Sequence, residues 1–527
     1  MPTSGLGHGG IITRCSVVFG VVLLACWDEP VRAATQYTAG GITWDNGTTA
    51  AWGATGGPYG TVWTSGNDAV FEGSGPVSVA GSGATAHNLT FNATGSVISN
   101  NTLTLNGTTP TITAGSGITA TINSLIAGSA GLAKSGTGAL VLGGSNTYTG
   151  SLAINAGSLS VASLADSGAG SNGTGALKIG SGANTGELIY TGGGATLARQ
   201  VNLTGSTGGG KITNNGSGDL NFTNATFFSA VAAGAKTLTL QGSGNGTIAG
   251  AISSSNVGLT KEGGGTWILA GANSYSGQTT ISSGTLQIGS GGTSGSLSIG
   301  SSIVNNATLA FDRSDRLEQG TGFNSTISGS GAVIQRGGGT TVFSGTNSYS
   351  GDTTVVSGTL LINGNNTGAG TVNVETNGTL GGAGSIAGAV NVSGVLAPGE
   401  GIGTLSISQS LTFSGTATAR FEIDPTLDPG VNADLASATG TVTYGGLLEV
   451  LYGGAPTDFA DGMVFTLFNG SAYSGSFATL TLPALADGLS WQNTLTTNGS
   501  INVIPEPSAA LLCFIGVLAL LRRRRDA

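Results

Sequence analysis

Three stretches of this sequence repeat one another and decide its fold. Residues 131 to 161 read GLAKSGTGALVLGGSNTYTGSLAINAGSLSV, residues 258 to 288 read GLTKEGGGTWILAGANSYSGQTTISSGTLQI, and residues 332 to 362 read AVIQRGGGTTVFSGTNSYSGDTTVVSGTLLI. The three align without a gap. Repeats of this length are typical of stacked architectures, in which each unit buries its apolar face against the next.

Within each copy, apolar residues alternate with polar ones, and glycine or asparagine breaks the alternation at short intervals. In the second copy Trp267 and Leu269 share one strand face, a turn follows from Asn273 to Gly277, and Ile281 resumes the apolar face. Period-two alternation indicates strands with one buried face, and glycine and asparagine tolerate the left-handed conformations of tight corners. We therefore predict an all-β chain, a right-handed parallel β-helix with strands paired coil on coil.

A few polar positions recur in the copies. Gln335 stands where the other copies have Lys134 and Lys261, and Thr341 replaces an apolar strand residue. The two lysines are expected to contact coil carbonyls or acids rather than a ligand. A role in packing the turns is expected for the recurring tyrosines, Tyr148, Tyr275 and Tyr349.

Composition supports a long β-rich body. The chain has 97 Gly but only 12 Pro and no strict three-residue period, which excludes collagen, and 39% hydrophobic residues argue against disorder. Its net charge of −9 argues against nucleic acid as a partner. The three cysteines, Cys15, Cys26 and Cys513, lie near the two ends, so we expect neither disulfides nor a thiolate metal site in the body.

The first 33 residues are predicted to be a signal peptide with a helical apolar segment. Arg14 precedes an apolar run that ends at Cys26, and small residues follow at the expected cleavage site, Ala33 and Ala34. Acylation of Cys26 as a lipoprotein is the alternative. The body is therefore expected to leave the cytoplasm.

The last 23 residues, 505–527, combine three features in order. Pro505, Glu506 and Pro507 precede an apolar run, residues 509–521, and a basic cluster, Arg522, Arg523, Arg524 and Arg525. This arrangement resembles the PEP-CTERM sorting signal of Gram-negative bacteria. The resemblance implies recognition by exosortase-type sorting machinery, inner-membrane anchoring of the precursor, and release to the cell surface or medium. As a helix the apolar run rises only about 20 Å, and the arginines favour the cytoplasmic side. An anchor that is never cut is the alternative.

The repeats themselves resemble the autotransporter-associated β-strand repeat of large surface proteins. Residues 34–130, with Trp44, Trp52 and Trp63, are similar to the opening coils that cap such repeats. Residues 131–377 form the repeat-bearing solenoid, and residues 378–504 are similar to the C-terminal passenger segment of autotransporters. With 1–33 and 505–527, these segments make up the predicted domain organisation.

No catalytic, cofactor or metal site is predicted from the sequence. His87 is interpreted as a surface strand residue. The stretch 312–318, with Asp312, Asp315 and Glu318 among two arginines, is interpreted as a salt-bridged surface segment. An acidic loop over 422–434 is interpreted as solvated, with calcium binding as the alternative; its acids are Glu422, Asp424, Asp428 and Asp434.

These observations favour an exported, non-catalytic β-solenoid with a structural or adhesive role in the cell envelope or biofilm matrix. Long Thr/Ser/Asn faces suggest exopolysaccharide as a contact. The alternative is a polysaccharide-binding or polysaccharide-degrading β-helix.

Overall fold

The computed structural model describes residues 34–324 and 326–506, together with the backbone of Thr13–Cys15 and Cys26–Asp28. Those two short segments are paired antiparallel strands, so Cys15 and Cys26, the two ends of the apolar run predicted to be helical, are in strands instead, because their backbone groups bond across the pair. The other residues of 1–33 and the apolar helix predicted over 509–521 lie outside the described residues.

The described chain is an all-β parallel solenoid, as predicted, and it divides into two compact units. The first comprises Met1–Gly192 and Val201–Gly208, and the second Gly193–Gln200 and Gly209–Ala527. The right-handed winding stays a prediction.

The first unit contains three parallel stacks, one for each face of the coil. The first stack consists of Thr35–Thr38, Asp68–Phe71, Leu89–Phe91, Thr111–Ala114, Leu132–Ser135, Leu152–Ile154, Leu177–Gly182 and Val201–Gly205. The second consists of Ile42–Trp44, Val77–Val79, Ser96–Asn100, Thr119–Ile122, Ala139–Leu142, Gly157–Val161 and Gly186–Tyr190. The third consists of Ala84–Ala86, Leu103–Leu105 and Ile126–Ala127.

An antiparallel hairpin, Ala50–Gly53 with Tyr59–Val62, ends the first stack beside Thr35–Thr38. Trp44, Trp52 and Trp63 pack together there, with ring centroids 4.5 to 5.2 Å apart. All three indoles are buried. The hairpin and the indoles therefore cover the apolar interior at the first coils, where an open end would expose it.

The second unit, taken by itself, is also built of parallel stacks, and one of its sheets is longer than any in the first unit. One stack consists of Gly210–Asn214, Lys236–Gln241, Val257–Lys261, Thr279–Ile281, Ile303–Asn305 and Ile327–Ser328; Phe228–Val231 is a further strand. A second consists of Thr346–Asn347, Asn365–Asn366, Ser385–Ile386, Thr404–Ile407, Leu435–Ala438 and Phe468–Asn469.

The longest stack of the second unit turns a corner within single strands, so two coil faces join in one sheet. Its strands are Ala195–Leu197, Leu220–Phe222, Gly246–Ile248, Thr266–Leu269, Thr285–Ile288, Thr308–Phe311, Arg316–Glu318, Ala332–Gln335, Thr340–Phe343, Thr353–Ile362, Val372–Gly382, Val390–Val392, Val395–Pro398, Leu411–Phe413, Thr418–Glu422, Thr441–Tyr444, Leu447–Leu451, Ala472–Gly475 and Thr479–Thr481.

A small antiparallel sheet accompanies the last parallel strands of the second unit. Val464–Thr466, Ser500–Pro505 and Leu489–Thr494 form an antiparallel sheet, accompanied by a 3-10 turn at Pro456–Asp458 and a single helical turn at Leu495–Asn498. Phe459, Phe465 and Trp491 pack against one another beside it, with ring centroids 5.4 to 5.9 Å apart.

Each copy of the repeat folds as two consecutive coils that stack on each other. In the second copy Val257–Lys261 pairs with Thr279–Ile281, and Thr266–Leu269 pairs with Thr285–Ile288. Trp267 lies over Gly246 of the preceding coil, where a Cβ would come within 2.5 Å of the indole. Burying one such large apolar side chain stabilises the fold by about 1.5–3 kcal/mol. The two coils of this copy therefore share a buried apolar face.

Candidate functional site: repeat corners and the outward polar face

The recurring lysines fasten the corners of the two coils within one copy. Lys134 Nζ donates to the carbonyls of Ser135 and Gly136 at 2.8 and 2.7 Å, and to Ala156 on the next coil at 3.3 Å. In the second copy Lys261 Nζ contacts the three equivalent carbonyls at 2.7 to 3.0 Å. Burial lowers the pKa of each lysine to about 8. The predicted contact with coil carbonyls is confirmed.

In the third copy, Gln335 and Thr341, the two departures from the repeat, contact each other. Gln335 Nε2 donates to the Gly337 carbonyl at 2.8 Å, replacing one lysine contact. Its Oε1, an acceptor that lysine lacks, accepts a hydrogen bond from the Thr341 hydroxyl at 2.6 Å. Because a buried acceptor needs a donor, the glutamine accounts for the threonine at an otherwise apolar position.

The asparagine that opens each Asn-Thr/Ser-Tyr turn also joins neighbouring coils. The side-chain carbonyl of Asn146 accepts the amide of Ile126 on the preceding coil at 2.8 Å, and its amide reaches Asn172 on the following coil at 2.8 Å. Asn273 and Asn347 accept equivalent amides at 2.9 and 3.0 Å. These buried side chains bind backbone amides at the coil corners, in addition to the short strand ladders there.

The turn tyrosines are buried, as predicted. Tyr275 and Tyr349 place their hydroxyls 2.8 and 2.7 Å from Thr279 and Thr353. Burial raises the pKa of Tyr349 to about 12 and that of Tyr275 further. These phenols pack in the turns and do not face an exposed ligand. The recurring Lys, Asn and Tyr side chains of the repeat therefore hold neighbouring coils together.

Comparison with protein families matches the same three segments. A family model described as Passenger-associated-transport-repeat matches residues 132–161, 259–288 and 333–362. The chain carries three passenger-associated-transport repeats. The predicted autotransporter-type repeats are thereby confirmed, and each match begins one residue inside the boundary predicted from self-similarity.

Two curated relatives are similar over part of the chain. An "Adhesin BmaC autotransporter" of Brucella suis biovar 1 (strain 1330) is 41% identical over 132 residues, which is 24% of this chain and 4% of that protein. An "Extracellular serine protease" of Serratia marcescens is 39% identical over 103 residues, 19% of this chain and 10% of that protein. The similarity covers only a small part of either relative.

Outside the corners, an uncharged polar ladder runs along the longest stack of the second unit. Consecutive coils place hydroxyl and amide side chains in register on the outer face: Thr354, Asn373, Asn391, Thr412, Thr443 and Ser474. Asn391 donates to Asn373 at 3.1 Å, and the Thr443 and Ser474 hydroxyls lie 3.0 Å apart. Parallel strands lie about 4.8 Å apart, so the ladder offers hydrogen-bonding groups at that spacing.

The ladder borders a shallow depression of about 290 Å³. Asn373, Glu375, Asn391 and Ser393 are among the residues that line it. Sequence inspection missed this grouping, because the residues become neighbours only through the coil register. The regular recurrence of Asn in Val-Asn-Val at 372–374 and 390–392 was the signal available.

The segment 312–318 is a salt-bridged surface segment, as predicted. Arg313 pairs with Asp315 at 2.7 Å, and Arg316 lies 3.7 Å from Glu318. Arg316 also binds Glu400 at 2.8 Å, a pair the sequence did not reveal. Glu400 accepts from Asn363 as well, at 2.9 Å, so the loop following Pro398 is tied to the outer face.

The acids of 422–434 point in different directions. Asp424 accepts the amide and hydroxyl of Thr426 at 2.9 and 2.7 Å. Asp434 is turned inward and accepts the amides of Gly403 and Glu422 at 2.9 and 2.7 Å, and burial raises its pKa to about 7. Within the part of the chain that the structure describes, no group of three or more His, Cys, Asp or Glu residues is arranged to hold a metal ion.

His87 lies at a coil corner, between Ala84–Ala86 and Leu89–Phe91, which corrects its interpretation as a strand residue. Its Nδ1 is 2.9 Å from Asp68 Oδ1, and the same oxygen accepts the amide of Asn88 at 3.1 Å. Half-buried polar groups gather here because corner backbone groups need partners that the strands do not supply.

The predicted processing residues are only partly described. Ala34 is the first residue of the continuous described chain and is exposed. Pro505 ends the last strand and Glu506 donates its amide to Gly488 at 2.8 Å; both side chains are exposed. Ala33, Pro507 and Arg522–Arg525 lie outside the described residues. No helix within 34–324 or 326–506 has the length and apolar character needed to cross a membrane.

Proposed function

We propose that this chain is an exported, surface-destined β-solenoid with a non-catalytic, structural or adhesive role in the cell envelope or biofilm matrix. The observation that carries the proposal is the use of polar residues. The recurring Lys, Asn and Tyr side chains are engaged inside the corners, and the outer face of the longest stack presents uncharged hydroxyl and amide groups. Such a surface suits extended contact with a hydrated polymer, and exopolysaccharide is the proposed contact.

The proposed route to the surface uses both ends of the sequence. A signal peptide cut between Ala33 and Ala34 would direct export. Exosortase-type machinery would then act near Pro505, with residues 509–521 anchoring the precursor in the inner membrane and Arg522–Arg525 on its cytoplasmic side. The exposure of Pro505 and Glu506 supports access by such an enzyme.

The test is a deletion strain complemented with the intact gene or with a tail variant. We expect loss of the protein to reduce attachment or matrix cohesion, and complementation to restore it. Intact cells should also lose the protein when treated with an external protease. Resistance of the protein to that protease, with unchanged attachment in the deletion strain, would contradict the proposal.

A polysaccharide-binding module is the second candidate, and the depression beside Asn373 and Glu375 favours it. Glycan-array binding that is lost in N373A/N391A would support specific recognition over a general structural role. Binding without a glycan preference would favour the structural role.

A further inference from the structure

A groove of about 610 Å³ opens in the second unit where two neighbouring strands end. Glu422 pairs in register with Leu451, and the Ile423 amide donates to the Leu451 carbonyl at 3.0 Å, so the two strand ends lie side by side at the groove. Ile402 and Leu451, the latter 39% exposed, contribute aliphatic surface. The volume is within the range of about 300–1,000 Å³ that is typical of small-molecule sites.

Tyr452 supplies a fixed aromatic ring to the same groove. Its hydroxyl donates to Asp458 at 2.5 Å, and its ring packs edge-on against Phe459, with ring centroids 5.1 Å apart. A Cβ at Gly454 would come within 2.1 Å of the hydroxyl, so glycine at this position leaves room for the ring. Together with Leu451, the ring gives the groove an apolar portion that is in place before any ligand binds.

The rest of the lining is polar and includes two carboxylates. Glu422 is exposed in the groove, and its carboxylate bonds to no other group within residues 34–324 and 326–506. Asp424 accepts the amide and hydroxyl of Thr426 with Oδ1, and its Oδ2 has no donor in the same part of the chain. The groove therefore combines apolar surface with hydrogen-bond acceptors that remain open to a ligand.

Two arginines lie beside these carboxylates but are paired with other acids. Arg420 bonds Glu449 at 2.6 Å, and Arg316 bonds Glu400 at 2.8 Å. None of these four residues lines the groove. An acidic ligand would therefore be repelled by the two carboxylates of the groove, whereas hydroxyl or ammonium groups can donate to them.

We propose that this groove binds a saccharide that carries no acidic group. A sugar ring has apolar C–H faces and hydroxyl edges, so one face packs on Tyr452 and Leu451 while hydroxyls donate to Glu422 and Asp424. A wholly apolar ligand would bury those carboxylates without donors. That the natural ligand is part of an exopolysaccharide rests on the proposed surface function; the saccharide site itself rests on the groove.

Calorimetric titration of the purified full-length protein tests the proposal. The probes are the tetrasaccharides of glucose, N-acetylglucosamine, glucosamine and galacturonic acid. We expect at least one of the first three to bind, and the galacturonic acid probe not to bind, because its carboxylates would face those of the groove. Failure of all of the first three to bind, or tighter binding of the galacturonic acid probe, would overturn the proposal.

Four variants assign the binding to the groove. Y452A should weaken it at least about tenfold, because the aromatic contact surface is lost. E422Q should weaken it about fivefold, because a charge-assisted hydrogen bond is lost. Y452F keeps the ring, and D428N removes an exposed carboxylate from a residue that does not line the groove, so each should change the affinity by less than about threefold.

Unchanged affinity in both Y452A and E422Q would overturn the proposal. Loss of binding in N373A/N391A, with full binding in Y452A, would also overturn it, because the saccharide would then bind at the depression beside the ladder; the proposed surface function would stand. Unchanged attachment in the deletion strain would contradict that function without altering the calorimetric result. Circular dichroism checks that each variant is folded, and E422Q changes only an exposed side chain.

Discussion

Replacing Thr341 with valine tests whether the two departures of the third repeat form one unit. Thr341 donates to Gln335 Oε1 at 2.6 Å, and both residues are almost fully buried. Valine keeps the branched shape but removes the donor. An unsatisfied buried acceptor costs about 1–3 kcal/mol, offset by up to about 0.8 kcal/mol for the added apolar group. We therefore expect a net loss of about 0.5–2 kcal/mol.

Amide hydrogen exchange of the strand Thr340–Phe343 measures this loss locally, which suits a solenoid because each coil contacts only its neighbours. Because 1.4 kcal/mol corresponds to a tenfold change, exchange should accelerate by about 2- to 30-fold. T340V is the matched control. It changes the adjacent, partly exposed threonine on the outer face and should alter exchange by less than about twofold.

Restoring the lysine of the other copies should rescue the valine variant. In Q335K/T341V the acceptor is gone, and the new ammonium can donate to the corner carbonyls as Lys261 does. Exchange should return to within about twofold of the parent protein. If T341V behaves like T340V, or if the double variant remains as unstable as T341V, the pairing does not explain the two departures.

Three further changes test separate features. In G284A, the new Cβ would lie 2.3 Å from the Gly263 carbonyl in a left-handed corner, so we expect marked local destabilisation by hydrogen exchange, whereas G264A, which points into open space, should be nearly neutral. The folded-state pKa of Asp434, about 7, exceeds its ordinary value of 3.8, so its contribution to stability is full below about pH 4 and is lost as the pH rises through 7. The exchange of the Gly403 amide, corrected for its intrinsic rate, should therefore differ between pH 5 and pH 8. D434N should remove this difference, and its persistence in the variant would exclude Asp434 as its source. R522Q/R523Q/R524Q/R525Q should disturb localisation in cells without unfolding the body, and unchanged localisation would contradict the sorting function.

The solenoid could be predicted from the sequence because its determinants are local and repeated. Alternating apolar residues such as Trp267 and Leu269, and glycines at corners, specify one buried face and the places where the chain turns. The lysine contacts could also be anticipated, since a buried ammonium next to a corner has little but backbone carbonyls to bind.

Features that depend on register between coils could not be predicted. The contact between Gln335 and Thr341 and the pair between Arg316 and Glu400 require knowing which residues become neighbours in space. The same holds for Asp434, which the sequence placed in a solvated loop but which turns inward to bind two amides. His87 was misplaced because polar alternation around it resembles a strand, whereas Asp68 holds it at a corner.

Fractionation of the native organism, followed by intact-mass analysis of the protein, tests the central claim most directly. We predict surface or extracellular protein that begins near Ala34 and ends near Pro505. Protein that retains its C-terminal segment and stays in the inner membrane would contradict sorted export, and the proposed matrix role would then lose its main support.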